Sequence, residues 1–300
     1  MTIGTLLERE RETVETALRG LFPAAGRWPD RFWKAMEYAV FAGGKRIRPV
    51  LARIAHRAAG GDPDDITTAA CGLELIHTYS LVHDDLPALD DDVLRRGQPT
   101  VHVAFDEATA ILVGDALLTE GLLVLARHPG GEAWAARRAD AVATVAEAIS
   151  ARGMVGGQVE DLEATGHLDD DSDALEARLD VIHRHKTGCL LRASVELGAI
   201  LAGVDSAHRE GFVGFGEDLG FAFQVADDIL DATAGPEELG KSPGKDEAAG
   251  KLTYVTLFGL DRAQRRLDEL EQQLVSKAEL IEGPDGELGA IARFVCRRKS

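Results

Sequence analysis

Apolar residues recur at spacings of three and four along nearly the whole chain, and no run alternates with the two-residue period of a half-buried strand. From Ile66, the residues Ile66, Ala69, Ala70, Leu73, Ile76 and Leu81 trace one helical stripe. Comparable runs cover 49–59, 101–127, 132–152, 173–201, 208–234, 261–277 and 287–297. Pro49 stands where a first-turn proline is welcome, and the aspartates among 62–65 offer N-caps for the run that follows. Without a βαβ rhythm a parallel-sheet fold is excluded. Gly and Pro cluster at 20–30, 60–63, 128–131, 166–172, 235–250 and 283–288, spaced as connections within one bundle. The expectation is one all-α domain over residues 1–300 with roughly ten helices.

Charge narrows the partners. With 33 basic against 51 acidic residues the net charge is −18, so nucleic acid and anionic membranes would be repelled as non-specific partners. A phosphorylated ligand would need a local basic cluster or metal ions. Cys71, Cys189 and Cys296 are scattered, which implies neither a zinc site nor a disulfide framework and fits a reducing compartment. Glu8, Glu10, Glu12 and Glu15 do not suit a secretory leader, and the most apolar stretch, 111–126, interrupted by Asp115 and Glu120, reads as too short and too charged to span a bilayer. A cytoplasmic protein without stable membrane insertion is expected.

Two aspartate clusters depart from a solvated face. Residues 84–92 read DDLPALDDD, followed at once by Arg95 and Arg96. The cluster ends an apolar helix on which His77, Ser80 and Asp84 share a face, because seven residues close to within ~20°. His77 and Asp84 then stand ~10 Å apart along the axis. Pro87 cannot continue the ladder, so Asp90 to Asp92 should curl off the helix end. The second cluster, Asp227, Asp228 and Asp231 in FQVADDILD, sits among Phe221, Phe223, Val225, Ile229 and Leu230. Carboxylates gathered on such apolar helices repel one another unless cations neutralise them, and an all-oxygen donor set suits Mg²⁺. A site of two or three Mg²⁺ ions for a diphosphate is expected. A third triple, Asp169 to Asp171, has no basic neighbours and reads as a capped surface connection.

Basic residues supply the complement. GGKRIRP at 43–49 sets Lys45 and Arg48 three apart at a helix start, where backbone N–H groups also favour an anion. In HRHKTG, Lys186 and Thr187 can donate to phosphate oxygens. Lys241, Lys245 and Lys251 stand among glycines in a stretch that reads as a lid. Within it, GPEELGKS at 235–242 matches the P-loop pattern letter for letter, but a helix precedes it, Pro243 follows it, and Glu237 and Glu238 oppose a nucleotide.

In this order and with these gaps, GGKRIRP, LIHTYSLVHDDLPALDDDVLRRGQPTVH, GDALL, GMVGGQVEDL, HKTG, FQVADDILD and the GKD…GK.TY segment resemble the trans-isoprenyl diphosphate synthases, most closely the bacterial farnesyl diphosphate synthases. The resemblance spans about residues 41–259. It implies an all-α bundle around a central cavity, usually a homodimer, with three Mg²⁺ ions per site for which Mn²⁺ can substitute. Asp84, Asp85, Asp90, Asp227, Asp228 and Asp231 would hold the metal. Arg95, Lys186, Thr187, Gln224, Lys241 and Lys251 would hold the allylic diphosphate, and Lys45, Arg48, His77 and Arg96 isopentenyl diphosphate. In that family an aromatic residue shortly before the first cluster, with the two-residue Leu-Pro insertion, goes with short products, so Tyr79 and Ser80 favour C15 over C20. A geranylgeranyl synthase is the nearest alternative. A terpene cyclase fits less well because DDILD replaces that class's second metal motif, and a non-catalytic subunit fits less well because both clusters are present.

Overall fold

A computed structural model describes residues 2–22, 28–165, 172–233 and 252–298. Among these residues the chain forms fourteen α-helices, twelve of them eleven residues or longer, somewhat more than the sequence pattern suggested. They are α1 (Ile3–Leu21), α2 (Asp30–Val40), α3 (Ile47–Ala58), α4 (Thr67–Asp84), a one-turn α5 (Val101–Ala104), α6 (Glu107–Arg127), α7 (Ala135–Ile149), α8 (Met154–Ala164), α9 (Ser172–Ile182), α10 (Cys189–Ala202) and α11 (Ser206–Thr233). A short α12 (Tyr254–Phe258), α13 (Leu260–Glu282) and α14 (Glu287–Arg297) complete the set. The all-α expectation holds. The third aspartate triple, the P-loop look-alike, Lys241, Lys245 and Lys251 lie outside the described residues.

Two helices are apolar on nearly every side and so lie inside. α4 buries Ala69, Leu73, Leu75, Ile76 and Val82, and α10 buries an unbroken run from Ala193 to Leu201. α6 packs along α4, while α3, α7 and α11 surround α10 and α13 covers α11. By length and apolar composition α6 would also suit a bilayer, contrary to the expectation that the stretch is too short and too charged. In this fold it turns Val113, Leu117, Val124 and Leu125 into the core.

The differences from the sequence pattern have local causes. The run 101–127 breaks at Asp106, whose side chain accepts from the Thr109 N–H at 2.7 Å and caps a new helix. The run 173–201 stays continuous, but His183–Gly188 form a π-helical turn between α9 and α10. α8 has no clear helical stripe in the sequence, because Gly156 and Gly157 dilute its pattern. Packing overrides that propensity: a Cβ on Gly157 would lie 2.1 Å from the Lys186 backbone nitrogen, so glycine is what admits α8 against the π turn. A two-residue hairpin also forms, Leu94–Arg95 against Gln98–Pro99, with Arg96 and Gly97 at positive φ as an I′-like turn requires.

Candidate active site

The end of α4 folds back on itself as Pro87 requires. The amide N–H groups of Asp90 and Asp92 donate to the carbonyls of Asp84 and Asp85 at 2.9 and 3.2 Å, curling the acidic loop over the helix terminus. Burial raises the Asp84 carboxyl to about 6; Lys186 and Arg95 pull it down while Asp90 and Asp85 push it up. In the free protein this carboxylate lacks enough positive charge. Asp85 has a different environment: it is buried and grips Arg95 through both oxygens, with Nε at 2.7 and 2.9 Å and an Nη2 contact at 2.6 Å.

In the second cluster both members of the Asp-Asp pair have partners. Asp227 takes the Arg298 guanidinium at 2.7 Å, and that group also donates to the Phe223 carbonyl and lies 3.8 Å over the Phe223 ring. Asp228 is buried and accepts from the Tyr254 N–H at 2.7 Å, with His183 Nε2 at 3.3 Å from the same oxygen. It thereby fastens α11 to α12 and to the π turn. Asp231 is exposed one turn beyond Asp227, and Gln224 lies one turn before it.

Cations crowd the space between these clusters. Burial, with the Arg298 charge second, moves Lys45 below its usual range, and burial moves Arg298 downward against the opposing charge of Asp227. Burial also moves Arg48 to about 10 and Arg96 downward, although Glu74 opposes both. His77 falls well below the ordinary histidine range through burial and then the charges of Arg48, Arg96, Arg95 and Arg46. Asp227 acts on Lys45 and Arg48, and Lys186 acts on Asp84, so the α2–α3 loop, α4, the π turn and α11 share one electrostatic neighbourhood. Arg48 Nε and both polar atoms of Gln158 are buried without a hydrogen-bond partner. Such groups are costly unless a ligand satisfies them. Among the described residues no three acidic, His or Cys side chains form a ready metal cage. The donors nevertheless fit a hard cation such as Mg²⁺ with an anionic ligand: Asp84 and Asp227 would offer it carboxylate oxygen, and the neighbouring cations would balance the ligand's charge.

Several residues of this neighbourhood carried no assigned role in the sequence. Asp161, within GMVGGQVEDL, pairs with Lys186 at 2.5 Å and aims it. Arg298 belongs to the basic end of the chain, and that run of charge was the signal available. His183 and Glu74 gave none, because their roles arise from contacts across helices. Thr187 is half-buried on the π turn. Tyr79 is 7% exposed, one turn below the acidic loop, with its ring edge-on to His83 at 5.8 Å. Its hydroxyl is pushed up to about 12 by burial and by Asp84. Ser80 donates to the His77 carbonyl at 2.9 Å.

A sequence model of the family described as "Polyprenyl synthetase" matches residues 29–282. The chain belongs to that family. By family it is a prenyltransferase, a trans-prenyl synthase. Among curated proteins it is 42% identical over 294 residues to geranylgeranyl pyrophosphate synthase 11, chloroplastic, of Arabidopsis thaliana, covering 97% of this chain and 80% of that one. It is 41% identical over 267 residues to farnesyl diphosphate synthase of Geobacillus stearothermophilus, covering 89% and 88%. Among solved structures, an FPP/GFPP synthase from Zymomonas mobilis superposes with a TM-score of 0.85 at 32% identity, covering 98% of each chain. The geranyltransferase of Helicobacter pylori, solved with magnesium and isoprenyl diphosphate, gives 0.81 at 29% identity, covering 97% and 95%. These relatives bear different product names.

Proposed function

We propose that this prenyltransferase joins isopentenyl diphosphate head-to-tail to dimethylallyl or geranyl diphosphate, with farnesyl diphosphate as its main product. The observation that carries the reading is the pairing of opposite electrostatic needs in one neighbourhood: the Asp84 carboxyl is raised to about 6 at the end of α4, while burial pushes Lys45, Arg48, Arg96 and Arg298 downward. A metal diphosphate satisfies both.

Asp84, Asp90, Asp227 and Asp231 would hold Mg²⁺, or Mn²⁺ in its place, in a set of three ions. Bound there, the ions would supply Lewis-acid neutralisation of the leaving diphosphate. Arg95, Lys186, Thr187 and Gln224 would hold the allylic diphosphate, with Lys241 and Lys251 assigned to the same group from sequence. Asp85 would act through Arg95, Asp161 through Lys186, and Asp228 by fastening α11 to α12. As the allylic C–O bond breaks, its electron pair leaves with the diphosphate. The isopentenyl double bond then forms the new C–C bond, and the proton lost in restoring a double bond passes to the released diphosphate. Lys45, Arg48 and Arg96, with neutral His77 as a hydrogen-bonding group, would hold the isopentenyl diphosphate, which keeps its own C–O bond.

The C15 assignment rests on Tyr79 beneath the acidic loop, where its ring would stop a growing chain. A homodimer is proposed because Ile111 and Leu112 of α6 are 46% and 55% exposed, an apolar face that a second copy would cover. Incubating the protein and Mg²⁺ with isopentenyl diphosphate and, separately, dimethylallyl, geranyl or farnesyl diphosphate tests the reading. Farnesyl diphosphate should accumulate from the first two. Elongation of farnesyl diphosphate at a comparable rate would overturn the C15 assignment, cyclic hydrocarbons would overturn the reaction class, and full turnover with a chelator would overturn the metal assignment.

A further inference from the structure

Among the described residues, three non-glycine residues adopt positive φ: Arg46 at 52°, Asp91 at 49° and Arg96 at 53°. All three lie at the site just described, Asp91 in the acidic loop, Arg96 in the hairpin turn and Arg46 in the loop entering α3. Arg46 differs from the other two because its side chain turns inward. It is 2% exposed, and each edge of its guanidinium meets a different element: Nε donates to Glu15 of α1 at 2.8 Å, Nη1 to Glu74 of α4 at 2.8 Å, and Nη2 to the Val40 carbonyl of α2 at 2.7 Å. Arginine is disfavoured in left-handed backbone, and an apolar group often stabilises an interior as well as a buried ion pair does. The arrangement therefore calls for a reason other than stability.

That reason lies in its neighbours. Lys45 precedes Arg46 and Arg48 follows two residues later, so a clamp on Arg46 fixes the direction in which the loop presents both cations. The clamp reaches further through Glu74, one turn before His77 on α4, whose charge also acts on Arg48 and Arg96. Above the loop, Arg96 donates to the Gly43 carbonyl, and a Cβ on Gly44 would meet Arg96 Nη1 at 2.4 Å. The loop is thus fixed between Arg96 on one side and Arg46 on the other. We propose that Arg46, anchored by Glu74, is the positioning residue of the isopentenyl diphosphate subsite: it touches no substrate and sets the geometry of Lys45 and Arg48. This rests on the reading of those cations given above.

Steady-state kinetics on the full chain with Mg²⁺, varying each substrate at saturation of the other, test the proposal alongside thermal unfolding. Arg46→Met should raise the KM for isopentenyl diphosphate about tenfold or more, with the allylic KM within about twofold. Arg46→Lys, which keeps the charge but not the three-way fork, should restore part of that loss. Glu74→Gln should move the same KM in the same direction, and it carries the test if the Arg46 variants do not fold. A merely structural role predicts a lower melting temperature and lower kcat with both KM values unchanged, and that result overturns the proposal. Lys45→Ala and Arg48→Ala separate the two levels. If they raise the isopentenyl KM while Arg46 and Glu74 variants do not, only the positioning role falls. If they leave it unchanged, the subsite reading falls and the proposal with it.

Discussion

The two aspartate clusters begin with the same Asp-Asp pair and are built by different means. At the end of α4 the acidic loop is folded by its own backbone: Asp90 and Asp92 bond to the carbonyls of Asp84 and Asp85, and the partner of Asp85 is Arg95, ten residues away. On α11 the pair lies within an unbroken helix and its partners are remote. Asp227 meets Arg298, 71 residues later, and Asp228 meets the Tyr254 N–H 26 residues later. In both pairs the second aspartate is buried and the first is only partly so. The lesson is that two like motifs can be framed by different means. The first frame is local, whereas the second depends on the whole bundle closing.

The largest effect should come from the leading aspartates. Asp84→Ala and Asp227→Ala should each lower kcat by about a hundredfold or more while the helical circular dichroism persists, because the lost charge is the one a cation must meet. Near wild-type turnover in either variant would remove that cluster from the chemistry.

The second aspartates should separate the two frames. Asp228→Ala leaves the Tyr254 N–H and His183 without their shared acceptor and should cost about 1–3 kcal/mol, read as a lowered melting temperature. Asp85→Asn should instead raise the KM of the allylic substrate about tenfold with a smaller change in melting, because it loosens Arg95 rather than the bundle. Equal melting losses would erase the distinction.

Asp84 also gives a pH signature. Its carboxyl is raised from the ordinary 3.8 to about 6 in the metal-free fold, so the folded protein binds the proton more tightly than the unfolded chain. Stability should therefore fall as pH rises from about 4 through about 6, the opposite sign to a salt-bridged aspartate. Asp84→Asn should stabilise the fold above pH 6, by on the order of 3 kcal/mol at most, read as a raised melting temperature, with the gain fading toward pH 4. Mg²⁺ with diphosphate should abolish the advantage of the variant. Destabilisation of Asp84→Asn at pH 8 without metal would contradict the burial argument.

The smallest effect on rate concerns product length. Tyr79→Ala opens an apolar space and should shift part of the product beyond C15, while Ser80→Phe should shift it toward C10. A lowered melting temperature with unchanged product would make Tyr79 a packing residue against His83 only.

Much was legible from one dimension. Periodicity determined the all-α class, and the length of α14 follows the run 287–297 residue for residue. Pro87 required the acidic loop to leave the helix. The residue types alone demanded cations beside carboxylates and anions beside the basic runs. These features depend on neighbours within a turn or two, where the chain itself fixes distance and direction.

What the tertiary structure decided is which partner each member of a charged group meets. Nothing in DDILD distinguishes Asp227 from Asp228 until Tyr254 and His183 arrive at one of them. Nothing in GGKRIRP shows that the middle arginine turns inward while Lys45 and Arg48 flank it. Two adjacent residues on a helix point about 100° apart, and which direction is interior depends on packing by segments far along the chain. Sequence by itself determined that positive and negative charge would be concentrated here. The bundle decided how each of those charges is buried and partnered, because burial and remote partners set the free energy of each ionised group.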